Sequence, residues 1–382
     1  MMSNIKMILK KCIYKVCRLA PVKKKRILFF SYYGEHYSGS PKYISEYIVS
    51  QKRKDMEIVW AFVKPDNYKS LTGVKAVRYG SLGYYLMLAT AKIIVTNYRM
   101  TEEFQKKNNQ VYIQTWHSSL RLKMIEKDAE DTLPEHYVSM ARKDSLQIDY
   151  LLAGCRKGKE IFEKAFWYNG EILETGTPQC DILFEKSDEI RKRVCQYFNV
   201  QDDTHFILYA PTFRKGNSLD AYNLDYKRIV DAVTEKEGGN WVLLLRLHPH
   251  LISLVCNLKY DNMILQATEY DEVQELLSVA DMLISDYSAI MFDYAVTKKP
   301  CFLYVPDLEQ YTSMDRKLYF DIAHLPFSNS KTNDELICQI KTFNRETYEQ
   351  KVTVFLENVI GTYDDGKSCM RVLGKIQEIM GV

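Results

Sequence analysis

Short, uninterrupted apolar runs alternate with helix-like stretches along most of this chain, and that alternation restricts the fold more than any other feature of the sequence. "RILFFSY" (26–32), "EIVWAFV" (57–63), "KIIVTNY" (92–98), "VYIQTWH" (111–117), "DYLLAG" (149–154) and "EILETG" (171–176) read as strands. Between them lie helical segments such as "SPKYISEYIVSQ" (40–51), with Ser40 ahead of a first-turn proline, and "GYYLMLATA" (83–91). Strands apolar on both faces belong to a parallel sheet covered by helices on each side.

The pattern loosens over the charged segment 185–204 and restarts with "HFILYAPTFR". "WVLLLRLHPH" (241–250), "NMILQA" (262–267), "DMLISDY" (281–287) and "PCFLYVP" (300–306) follow. "YDEVQELLSVA" opens with Asp271 and, three residues later, Gln274, a capping-box-like helix start. At 382 residues and 46% hydrophobic, the chain exceeds the roughly 250–300 residues that one core serves. The expectation is two α/β domains, residues 26–186 and 187–382, with the last helix free to pack back on the first. No internal repeat or low-complexity run is visible.

The nine cysteines form no CxxC pair and no zinc-like spacing, which reads as reduced thiols of a cytosolic protein. The net charge of +3 is close to balance and gives no reason to expect nucleic acid, but residues 1–26 hold nine Lys or Arg and no acid. On a helical wheel Ile5, Ile8, Cys12, Val16 and Leu19 share one face, with Lys6, Lys10, Lys15 and Arg18 around the rest. No run reaches the ~20 apolar residues of a membrane span, and the h-region and cleavage site of a signal peptide are missing. Residues 1–25 therefore read as a basic amphipathic helix lying on an anionic membrane surface. The alternative is a helix packed on the protein's own surface.

Two doubly wound domains in tandem are expected to bind ligands in a cleft at the carboxyl ends of their strands, and the unusual polar residues lie at such ends. In "SDYSAIMFDYA" a helix beginning at Ser288 or Ala289 offers unpaired N–H groups and the positive end of its dipole, an anion site to which Ser288 adds a hydroxyl. Asp293 is an acceptor able to take both hydroxyls of a ribose. The plainer reading is that Ser288 only caps the helix and Asp293 meets a nearby cation. In "RLHPH" period-two alternation puts Arg246 and His248 on one side of a strand that Pro249 ends. Arg suits bidentate phosphate binding, and His can donate to a phosphoryl oxygen. Thr212 and Arg214 in "PTFR" are again two apart.

"QTWHSS", "TGTPQCDIL", "YAPTFR", "LRLHP" and "ISDYSAIMFDYA", in this order, resemble the CDP-glycerol glycerophosphotransferase family of teichoic-acid enzymes over roughly residues 90–305. The resemblance implies a GT-B-like fold of two Rossmann-like domains, an acceptor domain followed by a CDP-donor domain. It also implies a CDP-polyol donor and a lipid-linked glycan or teichoic-acid acceptor, in wall or capsule synthesis, at the cytoplasmic face of a bacterial membrane. His117 matches the family's first histidine, where a base for the acceptor hydroxyl is expected. His248 matches the second and, with Arg246, would hold the diphosphate; Ser288 and Asp293 fall on the nucleotide-binding turn and helix. One departure is Ser118, followed by "SLRLK", where the family has Gly and then Thr-Pro-Leu-Lys, which bears on the shape of the acceptor pocket.

The chemistry fits these residue types. Attack of an acceptor oxygen on the phosphorus bearing the polyol expels CMP, and Arg214, Arg246 and His248 can neutralise the phosphoryl oxygens without a metal. No cofactor or metal site is expected, since the CDP-polyol is a substrate; a homo-oligomer is left open. Two alternatives stay in view: a GT-B glycosyltransferase using a nucleotide sugar, and a non-catalytic membrane scaffold that would tolerate loss of both histidines.

Overall fold

The computed structural model describes residues 2–214, 224–247, 262–314 and 317–382. The chain divides into two compact units. Unit 1 comprises Met1–Ser119, Ile125–Asp181 and Tyr363–Val382; unit 2 comprises Leu120–Met124 and Ile182–Thr362.

Unit 1 is built on seven parallel strands, β1 (Lys23–Phe30), β2 (Glu57–Phe62), β3 (Lys75–Arg78), β4 (Ala91–Thr96), β5 (Val111–Gln114), β6 (Tyr150–Leu152) and β7 (Glu171–Leu173). Their order is β3-β2-β1-β4-β5-β6-β7. Helices α1 (Met2–Cys17), α2 (Gly39–Ser50), α3 (Leu82–Thr90), α4 (Glu135–Ser145) and α5 (Arg156–Ala165) accompany them. Ile27, Phe29, Trp60, Phe62, Ile93 and Val95 alternate along β1, β2 and β4 and fill one core on a single face of the sheet. The edge strand β3, "KAVR", escapes the sequence reading because three of its four residues are exposed and it carries no apolar run.

Unit 2 has six parallel strands, β8 (His205–Tyr209), β9 (Trp241–Leu245), β10 (Ile264–Gln266), β11 (Met282–Ser285), β12 (Cys301–Tyr304) and β13 (Ser328–Ser330), in the order β10-β9-β8-β11-β12-β13. Its helices are α6 (Asp188–Phe198), α7 (Tyr226–Glu237), α8 (Val273–Val279), α9 (Ile290–Ala295), α10 (Leu308–Met314), α11 (Asn333–Thr342) and α12 (Arg345–Val354). Helix α8 starts at Val273 and is capped by Glu272, whose side chain accepts from Gln274 N at 3.0 Å; Asp271, the expected cap, is one residue too early. Residues 120–124 add to unit 2 by pairing with 317–319, Met124 N to Lys317 O at 2.9 Å and Tyr319 N to Leu122 O at 2.7 Å.

The last helix, α13 (Ser368–Met380), belongs to unit 1, where Val372 and Ile376, four apart on one helical face, enter the core. In each sheet the strand order reverses once, between β1 and β4 and between β8 and β11. Loops leaving the two strands at such a point run in opposite directions and leave a crevice beyond their carboxyl ends.

Helix α1 uses two faces. Tyr14 and Cys17 are buried, with the Tyr14 ring against Tyr85 and Phe104 and its hydroxyl donating to Gln105 O at 3.1 Å. Arg18 and Lys11 reach Gln105 and Glu102. Ile8, Cys12, Val16 and Leu19 remain exposed, Val16 by 68% and Leu19 by 85%. The helix thus packs on its own unit while Ile8, Cys12, Val16 and Leu19 of the stripe face outward. No helix among the described residues is long and apolar enough to cross a membrane.

Candidate functional site

In unit 1 the predicted base sits beyond β5, which ends at Gln114 and not at His117. Trp116 takes φ +53°, the left-handed region that costs a bulky residue strain. Gln114 supports this turn: its Oε1 accepts from Trp116 N at 2.9 Å, and its Nε2 donates to Tyr98 O at 2.9 Å. The half-buried His117 ring lies 4.5 Å from the Trp116 ring and 5.7 Å from that of Tyr98, centroid to centroid, and Gln179 Nε2 donates to His117 O at 3.4 Å. Gly154 lets the neighbouring segment approach, because a Cβ there would stand 2.9 Å from the Ser119 Cα.

Beneath Trp116 lies a buried ionic cluster. Arg99 donates to Glu126 at 2.9 Å, to Asp144 at 3.2 Å and to Ser145 at 2.8 Å, and its guanidinium lies 4.1 Å from the Phe166 ring centroid. Burial pushes the Asp144 carboxyl up to about 6 against the pull of Arg99. The Phe166 ring meets that of Trp116 edge-on at 4.6 Å, so this cluster underlies the turn that carries His117.

In unit 2 the loops after β8, β11 and β12 are knitted together by charge. Asp286 accepts from Thr212 N at 2.8 and 2.9 Å and from Arg214 Nη1 at 2.8 Å. Arg214 also donates through Nε and Nη2 to Asp307 at 2.6 and 3.1 Å. The rings of Tyr287 and Tyr311 stack at 3.9 Å, with the Arg214 guanidinium 4.8 and 5.0 Å from their centroids. Burial disfavours the Arg214 charge, but Asp286 and Asp307 hold it firmly protonated. At 5% exposure and engaged by two carboxylates, Arg214, expected from the sequence to bind donor phosphate, ties these loops together. The sequence offers Asp286 and Asp307, but only the fold reveals that they share one arginine.

Strand β9 stops at Leu245, so Arg246 already lies beyond it and the alternation argument does not extend to residue 248. Arg246 Nη1 donates to Ala267 O at 2.9 Å and Tyr270 O at 2.5 Å, bracing the loop after β10. His248 lies outside the described residues. Ser288 is half-buried and its Oγ accepts from Ile290 N at 3.4 Å, while Ala289 is the N-cap of α9, which spans only six residues, under two turns. Asp293 is 2% exposed and accepts from Gln274 Nε2 at 2.9 Å. Thr212, Arg214, Ser288 and Asp293 are thus gathered around the β8–β11 reversal, while Arg246 stands at the end of the adjoining strand β9.

The sequence matches the family described as CDP-Glycerol:Poly(glycerophosphate) glycerophosphotransferase over residues 12–378. It is 33% identical over 362 residues to a teichoic acid poly(glycerol phosphate) polymerase of Staphylococcus epidermidis, covering 91% of this chain and 50% of that protein, so the chain spans half the length of that relative. It is 30% identical over 383 residues to the polymerase of the same description from Bacillus spizizenii, covering 97% of this chain and 95% of that one. The solved structure of the wall teichoic acid polymerase TagF superposes with a TM-score of 0.85 at 30% identity, covering 100% of this chain and 96% of that one. A histidine variant of that polymerase soaked with CDPG gives a TM-score of 0.84 with the same coverage. Two doubly wound parallel-sheet domains accord with the GT-B-like fold expected from the motifs. The chain belongs to the CDP-glycerol:poly(glycerophosphate) glycerophosphotransferase family.

Proposed function

We propose that this chain moves a polyol phosphate, glycerol or ribitol phosphate, from a CDP-polyol to a hydroxyl of a lipid-linked or polymeric cell-surface glycan, releasing CMP. The observation that carries this reading is the likeness, along nearly the whole chain, to a polymerase whose structure was soaked with CDPG. Unit 1 supplies the base. His117 takes the proton of the acceptor hydroxyl as its oxygen forms a bond to the phosphorus bearing the polyol, and the P–O bond to CMP breaks with its electron pair leaving on CMP.

Unit 2 binds the donor around the β8–β11 reversal. Ser288 and the N–H groups beside it hold phosphate oxygens, Asp293 faces the ribose, and Arg246 with His248 holds the diphosphate. Arg214 acts indirectly, by fixing the loops of Thr212 and Ser288. The outward apolar stripe of α1 and its lysines seat the enzyme on the anionic cytoplasmic face of the membrane, where a lipid-linked acceptor resides.

Incubation with CDP-glycerol, CDP-ribitol and a panel of nucleotide sugars tests the reading. Release of CMP from a CDP-polyol, dependent on an acceptor, is the expected result. Release of a nucleoside diphosphate from a sugar donor would replace it by glycosyl transfer, and no release from any donor would leave the scaffold.

A further inference from the structure

The strand-order reversal of unit 1 falls between β1 and β4, and the residues just past those two strands meet there. Asn97, the first residue after β4, accepts from Tyr32 N through Oδ1 at 3.1 Å, which fixes the orientation of its amide. Asn97 is 0% exposed, and its Nδ2 has no hydrogen-bond partner among the described residues. A buried donor left unmade is costly and points to something that visits it.

Nδ2 is aimed at the start of α2. A Cβ on Gly39, the first residue of that helix, would stand 3.0 Å from Nδ2 and 3.4 Å from Gln179 Oε1, and Gly39 holds φ +67°. Only glycine leaves this approach to the backbone uncovered. Helix α2 is twelve residues long, and its N-cap Ser38 makes no side-chain cap bond even though the whole first turn is buried. The Ser40 N–H is among those an α-helix leaves without an intrahelical acceptor. The first turn of α2 holds no acid to compete for those N–H groups, and its Lys42 sets its ammonium over the Tyr43 ring, 4.8 Å from the centroid. The base is close by, because Gln179 donates from its backbone N to Ser40 Oγ and from Nε2 to His117 O, each at 3.4 Å.

We propose that the N-terminus of α2 together with Asn97 is a subsite for a phosphodiester of the acceptor, an inference that rests on the transferase reading above. An acceptor that already ends in a polyol phosphate carries a diester one unit back from the hydroxyl to be extended. One non-bridging oxygen would accept from Asn97 Nδ2 and the other from the helix N-terminus, which presents the terminal hydroxyl to His117. The enzyme would then favour acceptors that already bear a polyol phosphate over bare glycans.

Calorimetry on the full chain with glycerophosphoglycerol, a soluble diester, reads the subsite without turnover. Asn97→Asp keeps the acceptor to Tyr32 but replaces the donor by a charge, and should weaken the diester at least tenfold with CDP-polyol affinity retained. Ser38→Asp supplies α2 with its own N-cap carboxylate, so it should raise the melting temperature and still weaken the diester. This second variant decides the matter if Asn97→Asp does not fold. Diester binding unchanged in a folded variant of either kind overturns the proposal. So does a loss confined to a soluble isoprenyl diphosphate, which would assign the subsite to the lipid link. If CDP-polyols release no CMP while the diester still binds and responds to both variants, the transferase reading fails and the anion site stands.

Discussion

Arg214 Nη1 and Asp286 Oδ2 lie 2.8 Å apart, with both side chains almost wholly buried, and this pair joins the loop after β8 to the loop after β11. Asp307 completes the cluster from the loop after β12. Three loops are therefore held in register by one guanidinium.

Arg214→Met should be severe. It leaves two carboxylates without their cation, and breaking a buried pair from one side costs about 3–5 kcal/mol. Urea denaturation should show that loss, and donor affinity should fall with it. Arg214→Lys should recover little of either, since an ammonium cannot reproduce the forked geometry. A stable Arg214→Met variant with intact donor affinity would show that the loops do not depend on this cluster.

His117→Asn retains a polar side chain without a basic nitrogen. Turnover should fall by about 10² to 10⁴ while CDP-polyol binding persists. The acid limb that an imidazole base gives to the pH–rate profile should vanish in the variant. A variant keeping more than about a tenth of wild-type turnover, with that limb still present, would move the role to His248.

Membrane docking is best tested on the outward face of α1. Removing the whole helix would uncover Tyr85 and Phe104, which Tyr14 covers, so a truncation confounds binding with stability. Replacing Ile8, Val16 and Leu19 by Ser should abolish sedimentation with anionic vesicles and leave the melting temperature unchanged. Each lysine apposed to such a surface contributes about 1 kcal/mol, so raising the salt should weaken binding as well. Binding that survives the triple replacement would place the membrane contact elsewhere.

Asp144 gives the protein a pH signature. Burial raises its carboxyl to about 6, above the ordinary value of about 3.9. Between those values the folded chain holds a proton that the unfolded chain has lost. The stability tied to this group is fully present below about pH 4 and is lost as pH rises through about 6. Asp144→Asn stays neutral throughout, so relative to wild type it should gain on the order of 2 kcal/mol between pH 4 and 7. Urea midpoints across that range check this, and a constant gap between the two proteins would show that Asp144 keeps its ordinary acidity in the fold.

The strands that the sequence revealed are those with continuous apolar runs. β3 and β13 went unseen because edge strands need no such run: "KAVR" is largely exposed and "SNS" is polar. The predicted site residues were legible as types at strand ends, yet their engagements were not. Asp293 was read as a ligand for a ribose, and in the structure it also satisfies Gln274, nineteen residues upstream. Asn97 carried no signal, and Gln179 was visible only as one letter of the "TGTPQCDIL" motif, since an amide in a loop becomes informative only when its neighbours are known.

The repeat of buried strand and helix, the expectation of two α/β domains, the basic stripe at the amino terminus and the family motifs could all be read along the chain, because each depends on residues close together in sequence. The return of α13 to unit 1, the hold of Asp286 and Asp307 on Arg214, and the approach of Asn97 to the start of α2 emerge from the fold alone. Those outcomes depend on pairs tens to hundreds of residues apart in the chain. Local propensity cannot encode them, because the free energy of such a contact exists only once the sheets have formed.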